Sequence, residues 1–293
     1  MSGFSAEWLA LREPVDHRSR NLALQAQVIQ FLGQIKRAAS DSIRVTDLGS
    51  GTGSNLRALA PHFGSKQSWT LVDYDADLLL SARSSFITWA DSVVSANDAE
   101  SKRTPSGLIH PLTITKNSKT IEIEFQCADL VHDYRAILEK PANLITAAAF
   151  FDLVAESWLS GFCAALTKPL YTVLTYDGKE TWAPPDALDA DVLRAFHTHQ
   201  CTDKGFGAAV GPSGADRLQS LLMAQGFTTV CAPSPWVMDQ HDRTLIEQLA
   251  IGTARAVREI GNLPNAAVNQ WEYARRNARQ CNIGHIDLFA YRP

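Results

Sequence analysis

The chain has 293 residues, 45% of them hydrophobic and 20% charged, with a formal net charge of −4. That length can bury a full core, either as one large domain or as a domain carrying a cap. The acidic balance argues against a nucleic-acid surface, which declares itself by basic excess.

The elements read off in chain order as follows. A helical pattern runs from about residue 16 to 37, with Pro14 placed to suit a helix start. Strand character at 43–47 is followed by a glycine-rich turn and a short helix at 56–60, then a buried strand at 69–73 and a helix from about 76 to 96. Residues 97–111 are polar with two prolines and are expected to form a mobile surface loop. Residues 112–115 and 120–125 alternate apolar and polar with period two, as the strands of a hairpin should. Further strands are expected at 142–148, 170–176, 227–230 and 284–291, and helices at 132–139, 150–167, 189–199, 213–225, 242–260 and 265–280. Alternation of strands and helices predicts a parallel sheet with crossover connections. Apart from 189–199, residues 177–212 carry little regular pattern, the signature of a lid or binding loop. The most apolar stretch, 144–166, is interrupted by Asp152 and Glu156, so it reads as a strand plus an amphipathic helix rather than a membrane span.

The most informative segment is Asp47-Leu48-Gly49-Ser50-Gly51-Thr52-Gly53-Ser54-Asn55. A strand, a glycine turn and a helix in succession present backbone N–H groups to a ligand, and glycine tolerates the positive φ such a turn needs. The third glycine of a dinucleotide turn would fall at Ser54, and no Lys follows, which excludes a phosphate-cradling nucleotide loop. Asp73 ends the next strand, 24 positions after Gly49. That is close to the ~20-residue offset at which an acid meets ribose hydroxyls, and a carboxylate accepts two charge-assisted bonds from a vicinal diol. The competing role for Asp73 is a helix N-cap, to which Asp75 is better suited.

Asp-x-Gly-x-Gly-x-Gly, followed by that acid, resembles the first motif of the class I S-adenosylmethionine-dependent methyltransferases, and the resemblance spans roughly residues 40–293. It implies a Rossmann-like α/β fold with a seven-stranded, mostly parallel sheet in the order 3-2-1-4-5-7-6, the last strand antiparallel, and helices on both faces. The chain then divides into an N-terminal helical cap segment (1–40) and a cofactor-binding domain (41–293) with cap insertions at about 177–212 and 237–282. In that family the glycine turn wraps the aminoacyl end of the cofactor. The implied cofactor residues are Asp47, Gly49, Ser50, Gly51, Gly53, Asp73 and Tyr74. An acid after the third strand contacts adenine, a place taken here by Asp129-Leu130. Small residues from Thr146 to Ala149 leave room for the methyl-bearing sulfonium. Arg20 or Arg18 is expected to fold over the cofactor's carboxylate, since guanidinium pairs with carboxylate bidentately.

Methyl transfer needs mainly positioning and exclusion of water, with a base only where the acceptor must lose a proton. His199 is the first choice for that base, because imidazole titrates near working pH; a solvated surface histidine is the competing account. Asp152, after the fourth strand, is the second choice, its alternative being a dipole-stabilising charge on the 150–167 helix. His197 and His285 are further candidates. Tyr176, Asp177, Asp203, Lys204 and Trp236 are the expected substrate residues, the Asp203–Lys204 pair either binding a charged group or forming an exposed turn. Trp8, Trp158, Trp182 and Trp271 could present aromatic faces to a cation, although aromatics at helical spacing usually belong to a core. No metal site is legible, and the five cysteines read as reduced, mostly buried thiols. The expectation is a cytoplasmic monomer or homodimer acting on a small molecule, without leader, nucleic acid or membrane. The acceptor atom, oxygen, nitrogen, sulfur or carbon, stays open. Two other classes are weighed: a catalytically silent cofactor-binding or regulatory subunit, and a nicotinamide dehydrogenase, against which Ser54 counts.

Overall fold

A single mixed sheet forms the spine of the computed structural model, which describes residues 4–39, 42–96 and 109–292. The first half contains α1 (Ala6–Ser19), α2 (Leu22–Ala39), β1 (Ile43–Leu48), α3 (Ser54–Leu59), β2 (Lys66–Asp73), α4 (Ala76–Trp89), β3 (Ser92–Ala96), β4 (Leu112–Lys116), β5 (Lys119–Cys127) and α5 (Leu130–Glu139). The second contains β6 (Leu144–Ala148), α6 (Glu156–Ala165), β7 (Leu170–Ala183), α7 (Asp189–Gln200), α8 (Gly214–Ala224), β8 (Thr228–Pro233), β9 (Trp236–Met238), α9 (Arg243–Ile260), α10 (Asn265–Arg276) and β10 (Gln280–Tyr291).

Among the described residues the sheet has ten strands rather than seven, in the order β3-β4-β5-β2-β1-β6-β7-β10-β8 with β9 beside β10. The difference is one of addition. With β3, β4 and β9 set aside, the other seven, renumbered among themselves, run 3-2-1-4-5-7-6. β1, β2, β5, β6 and β7 pair in parallel, and β10 is antiparallel to both β7 and β8. The sheet thus reverses direction of travel next to β1, and the crevice outside the carboxyl ends of β1 and β6 is where an open α/β sheet takes a ligand.

Several boundaries depart from the sequence reading, each for a local reason. The helix expected over 16–37 is two helices: α1, with Pro14 inside it, and α2, with the chain extended at Arg20. Asn21 holds the break, its N–H donating to Asp287 Oδ2 (2.9 Å) and its Oδ1 accepting from Leu24 N–H (3.0 Å). The helix expected to reach 96 stops at Trp89 because Asp91 is tied to the β4–β5 hairpin, its carboxylate accepting from Asn117 N–H and Lys116 Nζ, after which β-branched residues pair as β3. Most of the loop expected over 97–111 lies outside the described residues. The helix expected from 150 starts only at Glu156. β7 runs to Ala183 rather than 176, and β10 starts at Gln280, so the two form a long ribbon beyond the rest of the sheet. Its bulges put Leu174 at φ +58, where the N–H bonds to Asp287 Oδ1 at 2.9 Å.

Apolar residues fill both faces of the sheet, one cluster including α2, α4, α9 and α10 and the other α5, α6 and α8. Arg275 is buried within the first, bonding the Pro184 carbonyl and Asp189, and so fixes α10 to the start of α7. Among the described residues no helix is long and apolar enough to cross a membrane. All five cysteines are free; Cys127, Cys201 and Cys231 are exposed, so the expectation of mostly buried thiols does not hold.

Candidate functional site

The glycine turn leaves β1 with φ of +61, +52 and +77 at Gly49, Gly51 and Gly53. Conformation and space both demand glycine. A Cβ at Gly49 would lie 2.8 Å from Phe150 Cδ2, and one at Gly53 would enter the fully buried Phe86 ring. The turn is latched to β2 through Asp73, whose Oδ2 accepts from Gly51 N–H (2.8 Å) and Oδ1 from Asp75 N–H (3.0 Å). Burial raises the Asp73 pKa and those two N–H bonds pull it back. Asp75 caps α4, accepting from Asp77 and Leu78 N–H, so the two acids divide the roles weighed for them. Tyr74 stands beside them, half exposed.

Beneath the turn lies a buried polar layer. Asp47 is wholly buried; its Oδ1 accepts from Asn55 Nδ2 (2.7 Å) and its Oδ2 has no partner. Burial pushes the carboxyl up to about 7 despite the Asn55 bond and the nearby Arg20 charge. Arg20 is buried as well, donating through Nη1 to Asn55 Oδ1 (2.8 Å), and so braces the residue that holds Asp47. Thr146 in the middle of β6 accepts from Asn55 Nδ2 and donates to the Tyr171 carbonyl. Ser50 Oγ is buried without a partner. Asp129 is exposed and caps α5 through a bond from Val131 N–H. Leu130 is buried, and its carbonyl accepts from the Trp158 indole N–H.

Helix α1 lies across this assembly. Leu9 packs over Gly51, His17 Nε2 meets Ser54 O and Oγ at 3.1 and 3.0 Å, and Glu13 takes Arg57 in two bonds. On the other side Arg18 pairs with Asp242 at 2.5 Å. The same helix brings Arg12 into a second polar cluster. Arg12 Nε and Nη2 bond Asp16 at 2.8 and 3.1 Å, its guanidinium lies 4.8 Å from the Trp236 ring centroid, and Trp236 Nε1 donates to Asp16 Oδ1.

This second cluster gathers side chains from the turn after β6, from β7, β9 and β10, and from α1 and α7. Asp152 is 7% exposed in the turn after β6, with Oδ1 unpaired. Its backbone is fixed by Gly211 N–H donating to its carbonyl and by the close approach of Gly214. Burial pushes its pKa up to about 6, opposed by the Arg12 charge and by hydrogen bonds from backbone N–H groups, including that of Tyr176. Tyr176 is buried and its hydroxyl meets His197 Nε2 (3.1 Å) and Glu180 Oε1 (3.4 Å). Burial and neighbouring acids raise the Tyr176 pKa, and burial raises Glu180 to about 7. His285, 5% exposed, lies 5.1 Å from the Trp236 ring and 6.2 Å from Tyr176. Burial and Arg12 push it down to about 3, so it is neutral, and its Nδ1 has no partner.

Other expected residues stay outside. His199 sits two positions beyond His197 and turns the other way around the helix, meeting Glu259 Oε2 (3.0 Å) and Lys204 Nζ (3.3 Å). Asp203 and Lys204 do not pair: Asp203 is exposed and closes its own loop on Gly205 and Gly207 N–H, while Lys204 also donates to Thr202. Asp177 holds Lys179 and fills the space above Gly284. Trp158 stacks with Phe162, and Trp182 packs edge-on to Trp271, all as core; Trp8 is only partly buried against it. Arg12, Asp16 and Glu180 are the residues sequence reasoning missed. Glu180 carried a signal, since it sits four residues after Tyr176 with the same strand parity. Among the described residues no group of three or more His, Cys, Asp or Glu side chains could hold a metal ion.

No protein-family model matches the sequence, and neither does any curated protein. The fold is similar to solved structures described as methyltransferases or their relatives. One, from Bacillus halodurans, is 14% identical with a TM-score of 0.47, covering 93% of this chain and 99% of its own. A cyclopropane-fatty-acyl-phospholipid synthase-like protein from Lactobacillus casei is 13% identical with a TM-score of 0.49, covering 99% and 95%. The plantazolicin methyltransferase, solved with a triazolic desmethylPZN analogue and S-adenosylhomocysteine, is 12% identical with a TM-score of 0.41, covering 98% and 93%. Likenesses this remote assign no activity to the chain.

Proposed function

We propose that this protein is an S-adenosylmethionine-dependent methyltransferase acting on a small molecule. The observation that carries the reading is the Asp73 latch on the glycine turn, with two buried acceptors, Asp47 Oδ2 and Ser50 Oγ, left without partners beside it. These residues fit the cofactor. Each Asp73 oxygen accepts one N–H and retains a lone pair for a ribose hydroxyl, and unpaired buried acceptors under the turn suit an α-ammonium group. Asp47, Ser50 and the backbone at Gly49, Gly51 and Gly53 would hold the aminoacyl end. Asp73 and Tyr74 would hold the ribose, and Asp129 and Leu130 the adenine. Arg20 and Thr146 act through Asn55 to fix Asp47. When bound, the cofactor supplies a methyl group on an electrophilic sulfonium.

The second cluster is the acceptor side. Asp152 is assigned as the proton acceptor in place of His199, whose ring is committed to Glu259 and Lys204. Tyr176 and Trp236 wall the acceptor, and α1 with the segments at 177–212 and 237–282 forms the cap that excludes water. The test is calorimetric titration with S-adenosylmethionine and S-adenosylhomocysteine. Both should bind at one site, and Asp73→Ala should weaken them by at least about tenfold, the effect of losing a charge-assisted contact. Absence of binding to folded protein overturns the proposal.

A further inference from the structure

The turn after β6 delivers an aromatic ring to the glycine turn. Ala149 stands at φ +50, a region alanine rarely adopts, with its N–H fixed on the Val173 carbonyl at 2.9 Å. Strain of this kind survives where the surroundings over-determine it. Here it immediately precedes Phe150, whose Cδ2 lies 2.8 Å from the place a Gly49 Cβ would take. Trp158 stands edge-on to Phe150 at 5.8 Å and donates its indole N–H to the Leu130 carbonyl at 2.7 Å. One ring therefore backs the glycine turn, and the other fixes Leu130.

A third ring meets both. Phe206 lies 5.7 Å from Phe150 and 5.2 Å from Trp158, edge-on to each. It is partly buried, at the tip of a loop whose shape Asp203 sets. Asp203 Oδ1 accepts from Gly205 N–H (2.7 Å) and Gly207 N–H (2.9 Å), the residues on either side of Phe206. Beyond the loop the chain runs back along the turn after β6. Ala209 pairs with Ala155, Val210 N–H donates to the Val154 carbonyl (2.9 Å), and Gly211 N–H donates to the Asp152 carbonyl (3.0 Å). Residues 206–211 thus press on the backing of the glycine turn at one end and hold the Asp152 backbone at the other.

We infer that Phe206 is a positioning residue of the cofactor site, an inference that rests on the methyltransferase reading. Seated against Phe150 and Trp158, it keeps the wall behind Gly49 and the anchor of Leu130 ordered in the free protein. Binding of S-adenosylmethionine then does not have to order them, which raises its affinity. The same short segment supplies the N–H that holds the Asp152 carbonyl, so the occupied cofactor site and the setting of Asp152 share one connection. Such a coupling is reciprocal. Asp203 serves the site through Phe206, by shaping the loop that carries it.

The experiment is calorimetric titration of wild type, Phe206→Ala, Phe206→Tyr and Asp203→Ala with S-adenosylhomocysteine. Amide hydrogen exchange at Val210 and Gly211 is followed in each, with and without that ligand. Phe206→Ala should weaken binding by at least about fivefold, the effect of losing two edge-on ring contacts, and Phe206→Tyr, which keeps the ring, should stay within about twofold of wild type. Asp203→Ala leaves the ring but frees its loop, and should fall between them. In wild type the ligand should slow exchange at Val210 and Gly211; in Phe206→Ala, saturated with ligand, that slowing should be lost. A merely structural role would lower stability and leave this ligand-dependent difference in place. If the alanine variant does not fold, Phe206→Leu, which keeps bulk without ring edges, carries the comparison. Unchanged affinity in the folded variant, no slowing in wild type, or slowing that persists without the ring overturns the inference. Failure of the methyltransferase reading looks different: wild type itself gives no heat with S-adenosylhomocysteine.

Discussion

The glycine turn and the acceptor-side cluster are built on opposite plans. The turn is contiguous, Asp47 to Asn55, and most of its polar groups find partners within the turn or in Asp73, Arg20 and Thr146. The cluster draws Arg12 and His285 from the two ends of the chain and meets Asp152, Tyr176 and Trp236 between them, and it leaves buried polar atoms of Asp152 and His285 unpaired. One region spends its hydrogen-bonding capacity on holding its own shape. The other holds charge in a state that folding alone would not choose, the usual mark of groups kept for chemistry.

The contrast predicts opposite responses to substitution. Gly53→Ala should be the most damaging change, because it combines a positive φ with a collision against buried Phe86. The expected loss is on the order of 2–4 kcal/mol of unfolding free energy in urea titrations, and a loss under ~1 kcal/mol would show that the turn is not rigid. Asp152→Asn should do the reverse. Asp152 has its pKa raised to about 6 from 3.8, so the native state binds more protons than the unfolded chain between those values. Stability therefore falls as pH rises through that window, and the deficit is complete above it. The Asn variant should lack this fall and be more stable than wild type near neutral pH by about 3 kcal/mol, and the methyl transfer proposed above should be lost. If it is less stable at neutral pH, Asp152 is a structural residue.

Arg12→Met gives a finer probe. The Arg12 charge lowers the Asp152 pKa, so its removal should raise the Asp152 titration midpoint by about one unit, read by carbon NMR of labelled aspartate. The smallest effect is expected at His199→Ala: its partner Glu259 is more than half exposed, which limits the change to about 0.5 kcal/mol and about twofold in activity. His197→Ala, which strips the Tyr176 hydroxyl of a neighbour, should exceed it in activity. Equal effects would erase the distinction between the two faces of α7.

What was legible in the chain follows the same division. The turn and Asp73 could be read because their meaning lies in short-range spacing and in glycine conformation. Arg12 and Glu13 carry no signal in the sequence, because nothing local says that α1 lies between α3 and β9. The stretch Gly178 to Thr181 read as loop, since its strand character depends on β10 alongside, whose first residues looked like the end of a helix. His197 and His199 differ by two positions on a helix, about 200° of rotation, and only the packed structure chooses which faces Tyr176. Asp287 was likewise invisible: it joins Asn21 to Leu174, three places with no relation in sequence.

Helix α1 touches both regions at once, through Leu9 on Gly51 and Arg12 on Trp236. If the two regions bind ligands as proposed, those ligands cannot be thermodynamically independent wherever either shifts this helix. Whatever factor the first contributes to the affinity of the second, the second must return to the first. The helix is fastened by Glu13–Arg57 on one flank and the partly exposed Arg18–Asp242 on the other. Salt that weakens these pairs should therefore loosen the coupling between the two ligands before it loosens the binding of either alone.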